Sequence, residues 1–173
     1  GHLQERFATE FSELVKYWYA SQFMIWVSRN NDSLQKALEV HAIPMNRDIQ
    51  NFISLRREEI EFHFYNYLAS IAGCMSFLFN WAESSGIESI DEVTLECKRN
   101  PTVRILNQMR NSILHGARAF SNWGVSMRNK LHPGPGGPGV NCTFDLSETL
   151  MEKLSELPIE CQEKVSEIQS LQE

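Results

Sequence analysis

The sequence lacks an excess of basic charge. Its 16 Lys and Arg are outnumbered by 22 Asp and Glu, for a net charge of −6. That excludes a broad electrostatic footprint for nucleic acid, so any such contact must be local or assembled between subunits. Metal-ligand patterns are lacking too. The four cysteines, Cys74, Cys97, Cys142 and Cys161, form no C-x-x-C, and no cysteine–histidine spacing suits zinc. No metal or other cofactor is therefore expected, and the thiols should be free in a reducing cytoplasm. No apolar run reaches the length of a membrane span, which argues against a membrane partner. No signal-peptide pattern opens the chain, and Gly1-His2 reads as a cloning scar. The expected location is cytoplasmic. No internal repeat is visible.

What is present is a core-forming helical chain. It has 173 residues, 42% hydrophobic and 10% aromatic, enough for one domain with a real interior. Residues 1–43 read as an N-terminal helical extension, 45–156 as a helical core and 157–173 as a C-terminal helix. Leu3 to about Val27 has Phe7, Phe11, Leu14, Trp18 and Ile25 at helical spacing. Tyr17, Tyr19, Phe23, Met24 and Trp26 widen its apolar surface, which suits burial against the body and a second subunit. Asn30-Asn31-Asp32-Ser33 predicts a break, with a short capped helix restarting through Leu38 and Val40 until Pro44. Met45 to about Glu83 keeps one apolar stripe throughout. From Phe62 onward its other side is also apolar or small, which predicts burial all round. Ala69 and Gly73, four apart, permit a close helix approach. Arg56-Arg57-Glu58-Glu59 reads as a solvated face. Ser84-Ser85-Gly86 is a turn, and Glu88 to Lys98 a short acidic amphipathic helix.

Beyond residue 116 the helical pattern dissolves. His132 to Gly139 is a Pro/Gly loop tip. Its flanks, Trp123 to Lys130 and Val140 to Phe144, alternate loosely and suit a small hairpin. Arg118, Arg128 and Lys130 would make this region locally basic. Ser147 caps a helix with Leu150, Met151 and Leu154 on one side. Pro158 opens a last acidic helix, from Ile159 to about Leu171. The expected fold class is all-α, an up-and-down bundle with one possible hairpin.

The most informative stretch is Asn100 to Gly116. Asn100 suits an N-cap, Pro101 the first helical position and Gly116 a left-handed C-terminal cap. Val103, Ile105, Leu106, Met109, Ile113 and Leu114 form one apolar arc, with Arg110 inside it. A guanidinium there needs an anion, a partner or water. Asn111 and His115 are four apart and share a neighbouring face.

Arg110-Asn111-Ser112-Ile113-Leu114-His115 reads R-N-x-x-x-H, a pattern that arises by chance in roughly one chain in a hundred of this length. It resembles the signature of the HEPN superfamily. Phe64-Tyr65-Asn66-Tyr67-Leu68-Ala69-Ser70 is similar to the Y-N-Y-L-A-S segment on an earlier long helix in one bacterial branch. The resemblance covers about residues 45 to 150. It implies a helical domain that is a metal-independent RNase or RNA-binding module. It also implies a homodimer with a shared cleft, and a defence or toxin–antitoxin setting with an antitoxin-like partner. Members linked to nucleotidyltransferases often read R-x4-H-x-Y; here Gly116 and Ala117 follow His115, so control through a modified tyrosine is not implied.

On that reading His115 is the general acid or base, since an imidazole titrates near neutrality. Arg110 clamps phosphate oxygens. Asn111 orients the imidazole or binds phosphate, Asn66 braces the site from the long helix, and Arg118 supports it. Arg110 and His115 are five apart, so they point about 140° away from each other on one helix. One protomer does not readily aim both at one phosphate; two copies across a twofold axis do. Non-catalytic RNA or nucleotide binding stays open. So does a helical interaction or structural module in which Arg110 bridges a carboxylate and His115 caps the helix C-terminus.

Overall fold

Two helices of 37 residues make the frame: α1 (His2–Leu38) and α2 (Ile49–Ser85), packed along each other. The computed structural model describes residues 1–39, 41–42, 48–127 and 139–170. After α2 come α3 (Glu88–Arg99), α4 (Pro101–Leu114), α5 (Glu148–Ser155) and α6 (Ile159–Ser170). A small antiparallel sheet in the order β1-β3-β2 joins His41–Ala42 (β1), Phe120–Met127 (β2) and Gly139–Leu146 (β3). The fold is thus an all-α bundle with a small sheet. The hairpin forms where alternation predicted it. The first strand begins three residues earlier than expected, at Phe120, and is described to Met127; the second extends past Val140–Phe144 at both ends, and β1 is an unexpected third strand. The loop tip, and with it Arg128 and Lys130, lies outside the described residues.

The core gathers Leu68 of α2, Ile105 and Met109 of α4, Leu150 and Leu154 of α5, and Cys161 of α6. The hairpin docks through aromatic rings. Phe120 lies 4.9 Å from Phe64 of α2 and 4.4 Å from Phe144 of β3, centroid to centroid. This contact brings the start of β2 over the middle of α2. Cys74, Cys97 and Cys161 are free thiols; burial pushes the Cys74 and Cys97 thiols up from their ordinary values.

Three expectations are corrected. First, α1 does not break at Asn30-Asn31-Asp32-Ser33. The Asn30 side chain donates to the Trp26 carbonyl at 3.0 Å within the helix. Further on, Leu34 and Ala37 are buried. An asparagine or aspartate in a helix costs at most about 0.7 kcal/mol, less than the roughly 1.5–3 kcal/mol gained by burying a leucine. Packing therefore carries the helix through its poor residues. Second, the Arg56-to-Glu59 run is not merely a solvated face. Arg56 is buried, and its guanidinium donates both to Glu59 and to the Ala37 carbonyl in the last turn of α1. Third, α2 is not buried all round past Phe62, which itself stays 61% exposed. Its apolar circumference serves different neighbours at successive levels.

The close approach at Gly73 does occur, and α1 is the helix that makes it. A β-carbon there would lie 3.2 Å from Trp26 and 3.4 Å from Phe23. Gly73→Val is expected to destabilise the protein by about 1–3 kcal/mol through overpacking. Gly73→Ala should be near neutral, because its helix-propensity gain of about 1 kcal/mol offsets the tight contact with a half-exposed Trp26. Urea unfolding of the two variants checks the contrast; equal losses would mean the contact is not what limits this position.

Higher along the same pair, the Trp81 indole N–H donates to Glu13 Oε2 at 2.9 Å and Lys16 donates to Oε1 at 2.9 Å. The Trp81 bond first, and then Lys16, hold the Glu13 carboxyl below its ordinary value.

Candidate functional site

Helix α4 is built as its ends predict. The Asn100 side chain accepts from the Thr102 and Val103 amides at 3.0 and 3.2 Å, and Pro101 occupies the first turn. At the other end Gly116 has φ +93°. Its amide bonds the Ile113 carbonyl, and the Ala117 amide bonds the Ser112 carbonyl, both at 3.0 Å. These two bonds make a Schellman cap, which needs a left-handed residue and so a glycine. The cap turns the chain sharply just after His115.

The turned chain is then pinned to the start of α5. Ser147 Oγ donates to the Arg118 carbonyl and accepts from the Leu150 amide, while the Ser147 amide bonds the Ala119 carbonyl at 3.0 Å. From the α2 side, Phe64 packs on Phe120, and beside it desolvation first, and then Glu61, push the Tyr65 hydroxyl up from its ordinary value. The end of α4, the start of β2, α5 and the middle of α2 therefore meet around one cleft.

That cleft has a volume of about 940 Å³. His115, Asn111 and Arg118 line it, together with Arg57 from α2, Lys153 from α5 and the rings of Phe120 and Trp123. Among the described residues no carboxylate lines it. Arg57 lies over the Trp123 ring, 5.2 Å from its centroid. Two of the cations also hold a carboxylate outside the lining: Arg57 with Glu61 at 3.3 Å and Lys153 with Glu156 at 2.7 Å. The Glu156 bond raises the Lys153 value from its ordinary one. Arg118 has no ion pair among the described residues. His115 and Arg118 are both exposed.

Arg110 lies in a different cleft, on the other flank of α4. That one, about 350 Å³, is lined by Lys98, Arg104, Asn107 and Arg110 against Ala72, Met75 and Phe79 of α2. It too has no carboxylate in its lining. Arg110 is half-buried and donates to Asn111 Oδ1 at 3.2 Å. No carboxylate pairs with it among the described residues. Asn111 lines both clefts and is the one residue of the motif that joins them. Its side-chain oxygen is taken by Arg110 and not by His115.

The structure therefore brings His115, Asn111 and Arg118 together, sets Arg110 on the opposite flank, and leaves Asn66 out of both linings. The chain matches no protein-family model, no curated protein and no solved structure. Among the described residues, no three histidine, cysteine or carboxylate side chains gather as a metal site requires. Sequence reading missed Arg57, Lys153 and Trp123. Arg57 was visible as part of a charged run and in a loose R-x5-H spacing with His63 that lacks the asparagine and the helix-end glycine, and no local spacing links α2 to α5 or to β2.

A cleft of this kind is suited to an anion with a flat apolar part. Three cations and an imidazole supply charge and hydrogen bonds, while Trp123 and Phe120 supply an aromatic wall. In a chain of net charge −6, a sizeable cleft free of acid is a local reversal of the protein's field.

Proposed function

We propose that this chain is a HEPN-like, metal-independent endoribonuclease or RNA-binding protein that acts as a homodimer. The observation that carries the reading is the acid-free cleft where His115, Asn111 and Arg118 converge with Arg57 and Lys153. Single-stranded RNA combines what such a cleft selects, phosphates for the cations and bases for the aromatic wall.

In the catalytic form of the proposal, His115 takes the 2′-hydroxyl proton while that oxygen attacks the adjacent phosphorus. The bond to the 5′-oxygen breaks, and the departing oxygen gains a proton from a second group or from water. The products are a 2′,3′-cyclic phosphate and a 5′-hydroxyl. Arg118, beside His115, is the cation of the same chain placed to hold phosphate oxygens. Arg110 would reach the same phosphate from a second copy, as the 140° divergence on α4 requires.

The runner-up reading is non-catalytic binding at the same cleft. It is favoured by the absence of any Asn111–His115 side-chain bond to fix the imidazole. Incubation with single-stranded RNA in EDTA separates the two. Fragments ending in a cyclic phosphate are expected. Retention of intact RNA would leave binding alone, and failure of RNA to bind at low salt would end both readings.

A further inference from the structure

The first helix presents two apolar faces, and only one of them is covered. Its covered face packs on α2, with Phe23 and Trp26 against Gly73 and with Glu13 tied to Trp81. On the opposite side Phe7, Phe11, Leu14, Trp18 and Ile25 are 71, 58, 66, 58 and 44% exposed. The steps between them are 4, 3, 4 and 7, so with Ser21 between the last two they follow a 3.5-residue repeat. That repeat marks a helix-pairing seam, not the face of a helix lying on a globular body. It runs for about 27 Å.

We infer that this seam is the contact between two copies of the chain, paired antiparallel as a two-helix coiled coil. Three observations on the seam favour a second copy. The first is area. At roughly 150–250 Å² for a whole large side chain, the five residues expose on the order of 600 Å². That is at the top of what a monomer ordinarily leaves open and about three quarters of the roughly 800 Å² per partner of a standard interface.

The second is charge. Two charged residues border the seam: Glu10, which Arg6 of the same helix neutralises at 3.0 Å, and Arg29, four residues past Ile25, which an antiparallel pair about residue 16 sets opposite Leu3 of the second copy. The other charges between residues 11 and 28, Glu13 and Lys16, pair with each other and with Trp81. Nothing repels an identical face.

The third is register. An antiparallel pair about a twofold axis at residue 16 sets Leu14 against Trp18, Phe7 against Ile25 and Phe11 against Ser21, so each large ring meets a smaller residue. A parallel pair would set Trp18 against Trp18 and Phe11 against Phe11. The surface is self-complementary in one orientation, as an isologous contact must be. The inference stands apart from the proposed function: the seam's axis at residue 16 lies level with Trp81, whereas the His115 cleft lies at Arg57, toward the other end of α2, so this contact does not bring the partner's Arg110 to a phosphate at His115, and its argument comes from α1 alone.

Sedimentation equilibrium of the chain at micromolar concentration is expected to give twice the 20.0 kDa chain mass. The Phe11→Glu/Trp18→Glu variant is expected to give the single-chain mass with its helical circular dichroism retained, and a thermal midpoint that no longer depends on protein concentration. A wild-type monomer over the whole range overturns the inference and assigns the seam to another protein; so does a double variant that stays dimeric. Mixing Leu14→Cys with Trp18→Cys chains should yield an oxidised heterodimer, with neither variant cross-linking to itself as readily. Efficient self-cross-linking of Leu14→Cys would overturn the antiparallel register. RNA cleavage is not a readout in any arm, so failure here and failure of the ribonuclease reading are told apart.

Discussion

Replacing His115 by alanine is expected to slow RNA cleavage about 10²–10⁴-fold, the usual contribution of a positioned general acid or base. The loss should fall on the chemical step. His115 sits beyond the last turn of α4, exposed, and its side chain makes no hydrogen bond or ion pair among the described residues. The variant should therefore melt like the wild type and bind RNA nearly as well. Single-turnover cleavage in EDTA, with binding measured alongside, checks this. A variant that cleaves at the wild-type rate would show that the activity comes from elsewhere or from a contaminant.

The same variant tests where the phosphate clamp resides. Arg110→Ala should also be slow if a second copy lends its arginine. The two defects are then complementary. In an equal mixture of His115→Ala and Arg110→Ala chains, half the dimers are mixed and each holds one intact composite site. Activity should return to about a quarter of wild type. A site complete within one chain, with Arg118 as the clamp, predicts instead that Arg110→Ala alone stays active, that the mixture shows about half the wild-type activity, and that Arg118→Ala brings a large loss.

How much of this was legible in the sequence follows the range of each interaction. The ends of α4 were readable because caps are local: Asn100 bonds its own helix two and three residues on, and Gly116 closes the turn it terminates. The angular split between Arg110 and His115 followed from helix geometry, and they do line different clefts. The continuity of α1 was not readable. Asn30 to Ser33 carry strong turn chemistry, and what overrides it is burial of Leu34 and Ala37 and a bond from Arg56, nineteen residues on from Ala37. Arg57 and Lys153 were invisible for a related reason. Their place beside His115 depends on Phe120 docking on Phe64 and on Ser147 holding the Arg118 carbonyl, and both contacts span more than twenty-five residues. Local grammar gave the helix that carries the site, and tertiary packing supplied the other half of its charge.

That second half can be weighed by removing it. Arg57→Ala, Arg118→Ala and Lys153→Ala combined are expected to weaken binding of single-stranded RNA about a hundredfold or more at low salt, since each charge-assisted contact contributes about 1.5–3 kcal/mol before solvent screening reduces it. The salt response is the sharper signature. Three phosphate contacts on a single strand contribute a slope of about −2 to log K against log salt, and the triple variant should lose that slope along with the affinity. Arg118→Ala should account for the largest single share, because Arg57 and Lys153 already hold Glu61 and Glu156. Lys98→Ala/Arg104→Ala, which strips the cleft around Arg110, is the matched control. If the control lowers both affinity and slope while the triple variant leaves them unchanged, RNA lies on the other flank of α4, and the general acid or base must then be sought beside Arg110.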